Sequence, residues 1–258
     1  MLSKQILGVR IDGLTLDEAR QKVREFLVYG QHKIFTPNPE FLVKAHKDEY
    51  FRNLLNSGDL NLCDGFGLQL ASGIKRIPGV DFMIELCRIA VEQGSSVYLL
   101  GSGSDEVVKE TANKLQEQFP MLKIAGYDKG PKVNECFNCH SERSEESLSG
   151  QGSLVVDTPR DDSVEKINLL RPDIIFVAFG MGKQEKWIYE NIAKMSSVKI
   201  AMGVGGSFDY ISGTIKRAPC WMRKIGLEWM YRLYKQPARF GRIFNATVKF
   251  IYLIFTQK

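Results

Sequence analysis

Asp64 stands between a short apolar run, Leu60 to Cys63, and a glycine turn, Gly65-Phe66-Gly67. A carboxylate at such a junction has two readings of equal weight. It can form the turn by accepting backbone amides, or it can serve as a general base whose proton affinity is tuned by burial. A second polar cluster follows another apolar run: Ile174 to Phe179 gives way to Gly180-Met181-Gly182, then to Lys183, Gln184, Glu185 and Lys186. Four polar side chains crowding that turn fit a ligand site better than an ordinary soluble helix start. A third junction is Thr36-Pro37-Asn38-Pro39-Glu40, after the run Lys33 to Phe35. Asn38 can cap the helix that Pro39 begins. Thr36, at the end of the run, is the better placed of the two to face a ligand.

These junctions need elements to hold them. The run 174–179 is β-branched and aromatic throughout, which predicts a strand buried on both faces. A buried strand, a glycine turn and a polar helix start is where open α/β sheets bind ligands. Further strands are expected within 4–11, at 33–35, 60–63, 97–100, 123–126 and 154–156, and at 199–204 before Gly205-Gly206-Ser207. Thr15 and Glu18 have capping-box spacing ahead of the stripe Leu16, Ala19, Val23, Phe26 and Leu27. Other helices are expected over 80–93, 105–118 and 161–170. Strands alternating with helices of this length predict an α/β fold, a Rossmann-like and largely parallel sheet flanked by helices.

One nucleotide signal is weak. Gly101-Ser102-Gly103-Ser104 resembles the start of a dinucleotide fingerprint, but Glu106 occupies the third glycine position. The stretch Met121 to Tyr127 also lacks the acid that would hold a ribose. A Rossmann-like NAD(P)-dependent oxidoreductase therefore stays open only as an alternative.

Residues 134–153 break the alternation. They are rich in Ser and Glu and lack apolar periodicity, which predicts a solvated insertion. Within them, Cys136-x-x-Cys139-His140 has the form of a c-type haem attachment motif. That chemistry requires export, and the residues MLSKQILGVRIDG show no signal-peptide pattern. Zinc would need further ligands nearby. Five scattered cysteines fit reduced thiols in a cytoplasmic protein, so no cofactor is expected. No Asp-x-Asp triplet occurs, and His32, His46 and His140 form no ligand spacing. The usual carboxylate–Mg²⁺ clamp on a diphosphate thus has no evident source, and metal-independent chemistry is expected.

Charge divides the chain. Residues 214–258 hold ten lysines and arginines against one acid, Glu228, for a net +9, while the remainder is −4. Trp221, Trp229, Tyr231, Tyr234, Phe240 and Phe244 interleave with those cations. An acidic body with a basic tail points to an anionic partner: phosphate, nucleic acid or a membrane surface. Pro237 is expected to start a helix running from Ala238 to Phe255. Residues 243–255 are too short and interrupted to span a bilayer but suit a helix lying in its interface. Packing on the body, or on another subunit of a homo-oligomer, is the alternative. Two parts follow: an α/β core at 1–213 and a basic helical appendage at 214–258.

Six blocks then carry a resemblance: TPNPE (36–40), CDGFG (63–67), RIPGVD (76–81), GKQEKW (182–187), GVGGSFDYISG (203–213) and RAP…LEWMYRLYKQPARFGR (217–242). In this order, over nearly the whole chain, they resemble the WecG/TagA/CpsF glycosyltransferase family. The insertion 134–153 and GYDKG at 126–130 depart from its pattern. The resemblance implies an inverting, metal-independent hexosyltransferase. It would move N-acetylmannosamine, or its uronic acid, from a UDP donor to undecaprenyl-diphosphate-linked N-acetylglucosamine in cell-wall or surface polysaccharide synthesis. Asp64 matches the family's catalytic aspartate, with Thr36 beside it in the catalytic set. Thr36 and Asn38 match its donor-site residues, and Gln184 lies in the motif facing the sugar. Arg232, Arg239 and Arg242 match tail arginines that complete the site, and arginine's planar fork suits phosphate oxygens. The implied setting is the cytoplasmic face of the cell membrane, with the tail on an anionic surface and no nucleic acid bound. A non-enzymatic membrane adaptor remains the other alternative, although it leaves the polar turns at Asp64 and Gln184 unexplained.

Overall fold

The computed structural model describes residues 2–101, 103–130, 162–235 and 240–256. The insertion 134–153, the expected strand 154–156 and the Cys136–His140 motif lie outside the described residues, as do Pro237 and Arg239.

The chain opens with a hairpin, β1 (Leu2–Ile6) and β2 (Val9–Gly13), where one strand was expected over 4–11. Leu7 and Gly8 interrupt it with φ of 49° and 79°, the left-handed pair that a two-residue hairpin turn requires. Helix α1 (Leu16–Phe26) starts at the expected capping box, with Thr15 accepting from the Glu18 amide and Glu18 accepting from Thr15. Then come β3 (His32–Phe35), α2 (Pro39–Lys47), α3 (Glu49–Asn56), β4 (Leu60–Asn61), α4 (Phe66–Ser72), α5 (Gly79–Gln93), β5 (Ser96–Gly101), α6 (Asp105–Gln118) and β6 (Lys123–Asp128). Beyond the undescribed segment lie α7 (Ser163–Leu170), β7 (Ile174–Ala178), α8 (Lys183–Asn191), β8 (Ile200–Gly203), α9 (Ser207–Ile211), α10 (Cys220–Lys224), α11 (Glu228–Lys235) and α12 (Phe240–Thr256).

Six strands form one sheet in the order β4-β3-β8-β7-β5-β6, every pairing parallel. Both faces are buried, so side chains of opposite parity feed separate cores. Ile174, Phe176, Ile200 and Met202 pack with α1, α5, α6 and α9. Ile175, Val177, Ala201 and Phe35 pack with α2, α3, α8 and α12.

Because the sheet is parallel, all strand exits lie along one edge. The run Leu60–Cys63 supplies only two ladder residues. Leu62 bridges Asp12 of the hairpin instead, which carries Asp64 outward. The order of winding reverses between the parallel neighbours β5, which leads toward β6 on one side, and β7, which leads toward β8 on the other. At that switch point a Cβ on Gly101 (φ 118°) would fall 2.8 Å from the Ala178 backbone, so only glycine fits the exit of β5.

The tail is folded onto the core. Helix α12 packs on α2, and Phe250 is buried among the α2 and α3 side chains. No helix among the described residues is long and apolar enough to cross a membrane.

Candidate active site

Thr36 leaves the end of β3 and Asp64 lies just beyond β4, the neighbouring strand. The two exits are tied together: the Asp64 amide donates to Pro37 O at 2.9 Å, and the Leu62 amide to Phe35 O at 2.9 Å. Both side chains converge on Gly79, the first residue of α5. The Gly79 amide lies near enough to the Asp64 carboxylate to favour its charged form, and a Cβ added to Gly79 would fall 3.0 Å from Thr36 Oγ1. Glycine at this position lets the two side chains share one helix start.

Burial raises the Asp64 carboxyl from the usual aspartate range to about 6. The nearby Glu228 adds to the rise, while Arg76, the Gly79 amide and Arg217 oppose it. The neighbouring Cys63 thiol is pushed up to about 12 by burial and then by Asp64 itself, which keeps it protonated and inert. A carboxylate with affinity near 6 is ionised at neutral pH, yet it takes a proton more readily than an exposed aspartate. It can act as a base toward a hydroxyl.

Asn38 does cap α2: its Oδ1 accepts from the amides of Glu40 at 2.9 Å and Phe41 at 3.3 Å. Among the described residues its amide nitrogen makes no hydrogen bond, and a Cβ on Gly65 would lie 3.5 Å from Asn38 Cβ, beside the Asp64 turn. Thr36, Asn38 and Asp64 thus form one group.

Gln184 lies across the sheet edge, at the exits of β7 and β8. It is 2% exposed. Its Oε1 accepts the Gly205 amide at 2.9 Å, and its Nε2 donates to Glu185 Oε1 at 2.6 Å. Glu185 Oε2 accepts the Gly182 amide at 2.6 Å. Two buried side chains therefore brace the turns after β7 and β8. A Cβ on Gly203 would fall 2.7 Å from Gln184 Nε2 and 3.0 Å from Glu185 Oε1, so the brace needs glycine beneath it. Burial raises the Glu185 carboxyl to about 7, against the bonds from Gln184 and Gly182.

Arg232 belongs to α11 and Arg242 to α12, while Arg239 lies between them, outside the described residues. Both helices are anchored near the site. A Cβ on Gly67 would lie 4.0 Å from the Phe250 ring, and a Cβ on Gly226, just before α11, would fall 2.4 Å from Phe66.

Sequence reasoning assigned no role to Arg76, Asp81, Arg217, Glu228 or Glu185. Arg76, Asp81, Arg217 and Glu228 sit in the blocks RIPGVD and RAP…LEW, but no spacing rule pairs residues so far apart. Glu185 was visible only as one of four polar residues at a helix start. Among the described residues, no group of three or more His, Cys, Asp or Glu is placed to hold a metal ion.

Comparison with known proteins identifies relatives and a family. The chain is 34% identical over 218 residues to the N-acetylglucosaminyldiphosphoundecaprenol N-acetyl-beta-D-mannosaminyltransferase of Bacillus subtilis strain 168, covering 82% of this chain and 75% of that protein. It is 31% identical over 265 residues to the enzyme of the same name from Staphylococcus aureus strain MW2, covering 98% and 92%. A family profile matches residues 4–258, a span holding all three strand exits and the tail, and the chain belongs to the glycosyl transferase WecG/TagA/CpsF family.

Proposed function

We propose that this protein transfers N-acetylmannosamine, or its uronic acid, from a UDP donor to N-acetylglucosamine carried on undecaprenyl diphosphate. The observation that carries the proposal is the approach of Asp64 and Thr36 to the first residue of α5, with Asn38 beside the Asp64 turn and Asp64 held near 6. The names of the two relatives supply the substrate class.

In this mechanism a hydroxyl of the acceptor sugar attacks the anomeric carbon of the donor. The new C–O bond forms as the bond to the UDP oxygen breaks, with inversion. The hydroxyl proton passes to Asp64, and UDP leaves with the bonding electrons. Thr36 and the Asn38 amide nitrogen hold the donor, and the Gln184–Glu185 brace fixes the turns that frame the site's other side. Charge gathering on the departing diphosphate is met by Arg232, Arg239 and Arg242, for which a guanidinium fork is suited. Cationic side chains take the part that a metal ion plays in other glycosyltransferases.

The 1–213 core carries the base and donor residues, and the 214–258 appendage brings the site to a membrane-borne acceptor. Phe244, Val248, Ile251, Tyr252 and Phe255 are exposed at the spacing of one helical stripe on α12, opposite buried Phe250. Trp221, Ile225, Trp229, Met230 and Tyr234 are exposed on α10, α11 and the turn between them. Apolar and aromatic side chains among cations suit the interface of an anionic membrane, here the cytoplasmic face.

The test is transfer by the purified chain from UDP-N-acetylmannosamine and from its uronic acid. The acceptor is a short-chain polyprenyl diphosphate-N-acetylglucosamine, with product mass read by spectrometry. A disaccharide-lipid with one of the two donors is expected. No product with either, under conditions where a B. subtilis enzyme control turns over, overturns the proposal.

A further inference from the structure

The segment joining α9 to α11 carries an ion-pair cluster that the transfer chemistry above leaves unused, and Arg217 is its centre. Arg217 Nη1 and Nη2 donate to the two carboxylate oxygens of Asp81 at 2.5 and 3.0 Å. Its Nε donates to Glu228 Oε1 at 2.9 Å. Asp81 belongs to the first turn of the core helix α5, and Glu228 opens the tail helix α11. One guanidinium therefore fastens the tail to the core. The Arg217 and Glu228 side chains are each 19% exposed, so their pairing is shielded more than a surface salt bridge, while Asp81, at 47% exposed, holds the guanidinium from the solvent side through two hydrogen bonds.

The clasp sits over the loop that carries Asp64. Arg76 Nη2 donates to Arg223 O at 2.8 Å, and the Gly226 turn rests on Phe66, two residues after Asp64. Among the described residues, the charged groups that act most on Asp64 are Arg76 from the core, and Glu228 and Arg217 from the tail. Cys63 lies beside it and stays neutral. Arg217 and Glu228 thus bring tail charges to the candidate base.

We infer that Arg217 is a positioning residue for the transfer reaction, its clasp on Asp81 and Glu228 seating α10 and α11 against the Asp64 loop so that turnover requires the clasp closed. The inference rests on Asp64 being the base, and it separates cleanly from a purely structural role. A structural clasp lowers the melting temperature and leaves turnover alone well below it. The sign of the pH profile also discriminates. If only the guanidinium charge were lost with the tail in place, Asp64 would hold its proton more tightly and the acid limb of kcat/KM would move up. If the clasp opens, Asp64 loses Glu228 and part of its cover together, and the limb moves down.

The experiment uses the full chain, UDP-N-acetylmannosamine and the short-chain acceptor, at least ten degrees below the lowest melting temperature in the set. Arg217→Ala and Asp81→Asn are each expected to lower kcat more than tenfold. The double variant should be no worse than the poorer single, as for residues acting as a unit. Arg217→Lys should recover part of the loss, and the acid limb of Arg217→Ala should move to lower pH. Unchanged kcat in both singles, multiplying losses, or an upward limb each overturn the inference. Asp81→Asn keeps the side chain's shape and serves if Arg217→Ala fails to fold. Asp64→Asn is assayed alongside. If it turns over like the unaltered enzyme, the base assignment falls, and the clasp is judged on the kcat coupling alone.

Discussion

Asp64 lies beside the backbone amide of Gly79, which favours its charged form, so the candidate base sits at the positive end of α5. That end favours the carboxylate, yet burial outweighs it and the group is held near 6 rather than below 4. The balance suits a base that must be ionised at rest and protonated after transfer. Asp64→Asn should therefore lower kcat by about 10²–10⁴-fold while UDP binding is nearly kept. In the unaltered enzyme kcat/KM should fall about tenfold per pH unit below about 6. Isothermal titration with UDP and steady-state kinetics over pH 5–8 check both, and near-normal turnover in the variant removes Asp64 from the chemistry.

Gly79 itself gives a second prediction. A methyl group there would press on Thr36 Oγ1, three ångströms away, and on the Thr36 methyl at 3.4 Å. Its φ is not in the left-handed region, so the backbone tolerates alanine. Gly79→Ala should lower transfer at least several-fold with a shift of only a few degrees in melting temperature. Activity equal to the unaltered enzyme would mean that Thr36 can move freely, and would argue against a fixed role for it.

Glu185 makes stability depend on pH. Its carboxyl is near 7 in the fold against 4.5 in an exposed glutamate, so the fold retains the proton over that interval while the unfolded chain releases it. The sign follows: the contribution is complete below about 4.5 and is lost as pH rises to about 7. At about 1.4 kcal/mol per unit the loss is about 3 kcal/mol. Melting temperatures of the unaltered protein should fall relative to Glu185→Gln between those pH values. Parallel curves would show that Glu185 does not titrate there.

Much of this was legible in the sequence, and the failures have physical causes. Periodicity located the strands of the sheet because both faces are buried, and continuous apolar runs such as 174–178 have no other use in a soluble core. Thr15, Asn38 and Gly182 marked helix starts because capping is local chemistry. The hairpin at Leu7-Gly8 and the helix α3 were not read, since a single left-handed non-glycine residue and an eight-residue helix leave faint patterns. Asp64, Thr36 and Asn38 were found individually from their junctions. The meeting of Asp64 and Thr36 at Gly79 was not legible, because it depends on where α5 starts relative to the exits of β3 and β4. The Arg217–Asp81 pair spans 136 residues, beyond any local spacing rule.

Metal chemistry is open to direct test. The sequence offers no Asp-x-Asp triplet, and cations in the tail are proposed for the diphosphate. Turnover should survive EDTA and should not rise with added Mg²⁺ or Mn²⁺. Loss in EDTA that either ion restores would overturn metal independence and reopen the search for acidic ligands in the undescribed residues 131–161.

The tail gives the last prediction. Phe250 is 3% exposed while Ile251 and Phe255 are 50% and 72% exposed, so α12 turns one face to the core and another outward. The two faces should be separable by substitution. Phe250→Ala empties space among the α2 and α3 side chains and should cost about 3–5 kcal/mol, the range for a buried phenylalanine. Ile251→Glu with Phe255→Glu should barely change stability but should abolish sedimentation with vesicles containing anionic phospholipid. Turnover on a water-soluble short-chain acceptor should persist in that outward-face variant, whereas turnover on a full-length lipid acceptor in vesicles should collapse. That split would tie the stripe to delivery of the lipid-borne substrate rather than to the chemical step. Equal losses on both acceptors, or vesicle binding that survives both glutamates, would instead place the stripe against protein, with oligomeric state measured by sedimentation velocity as the next observable.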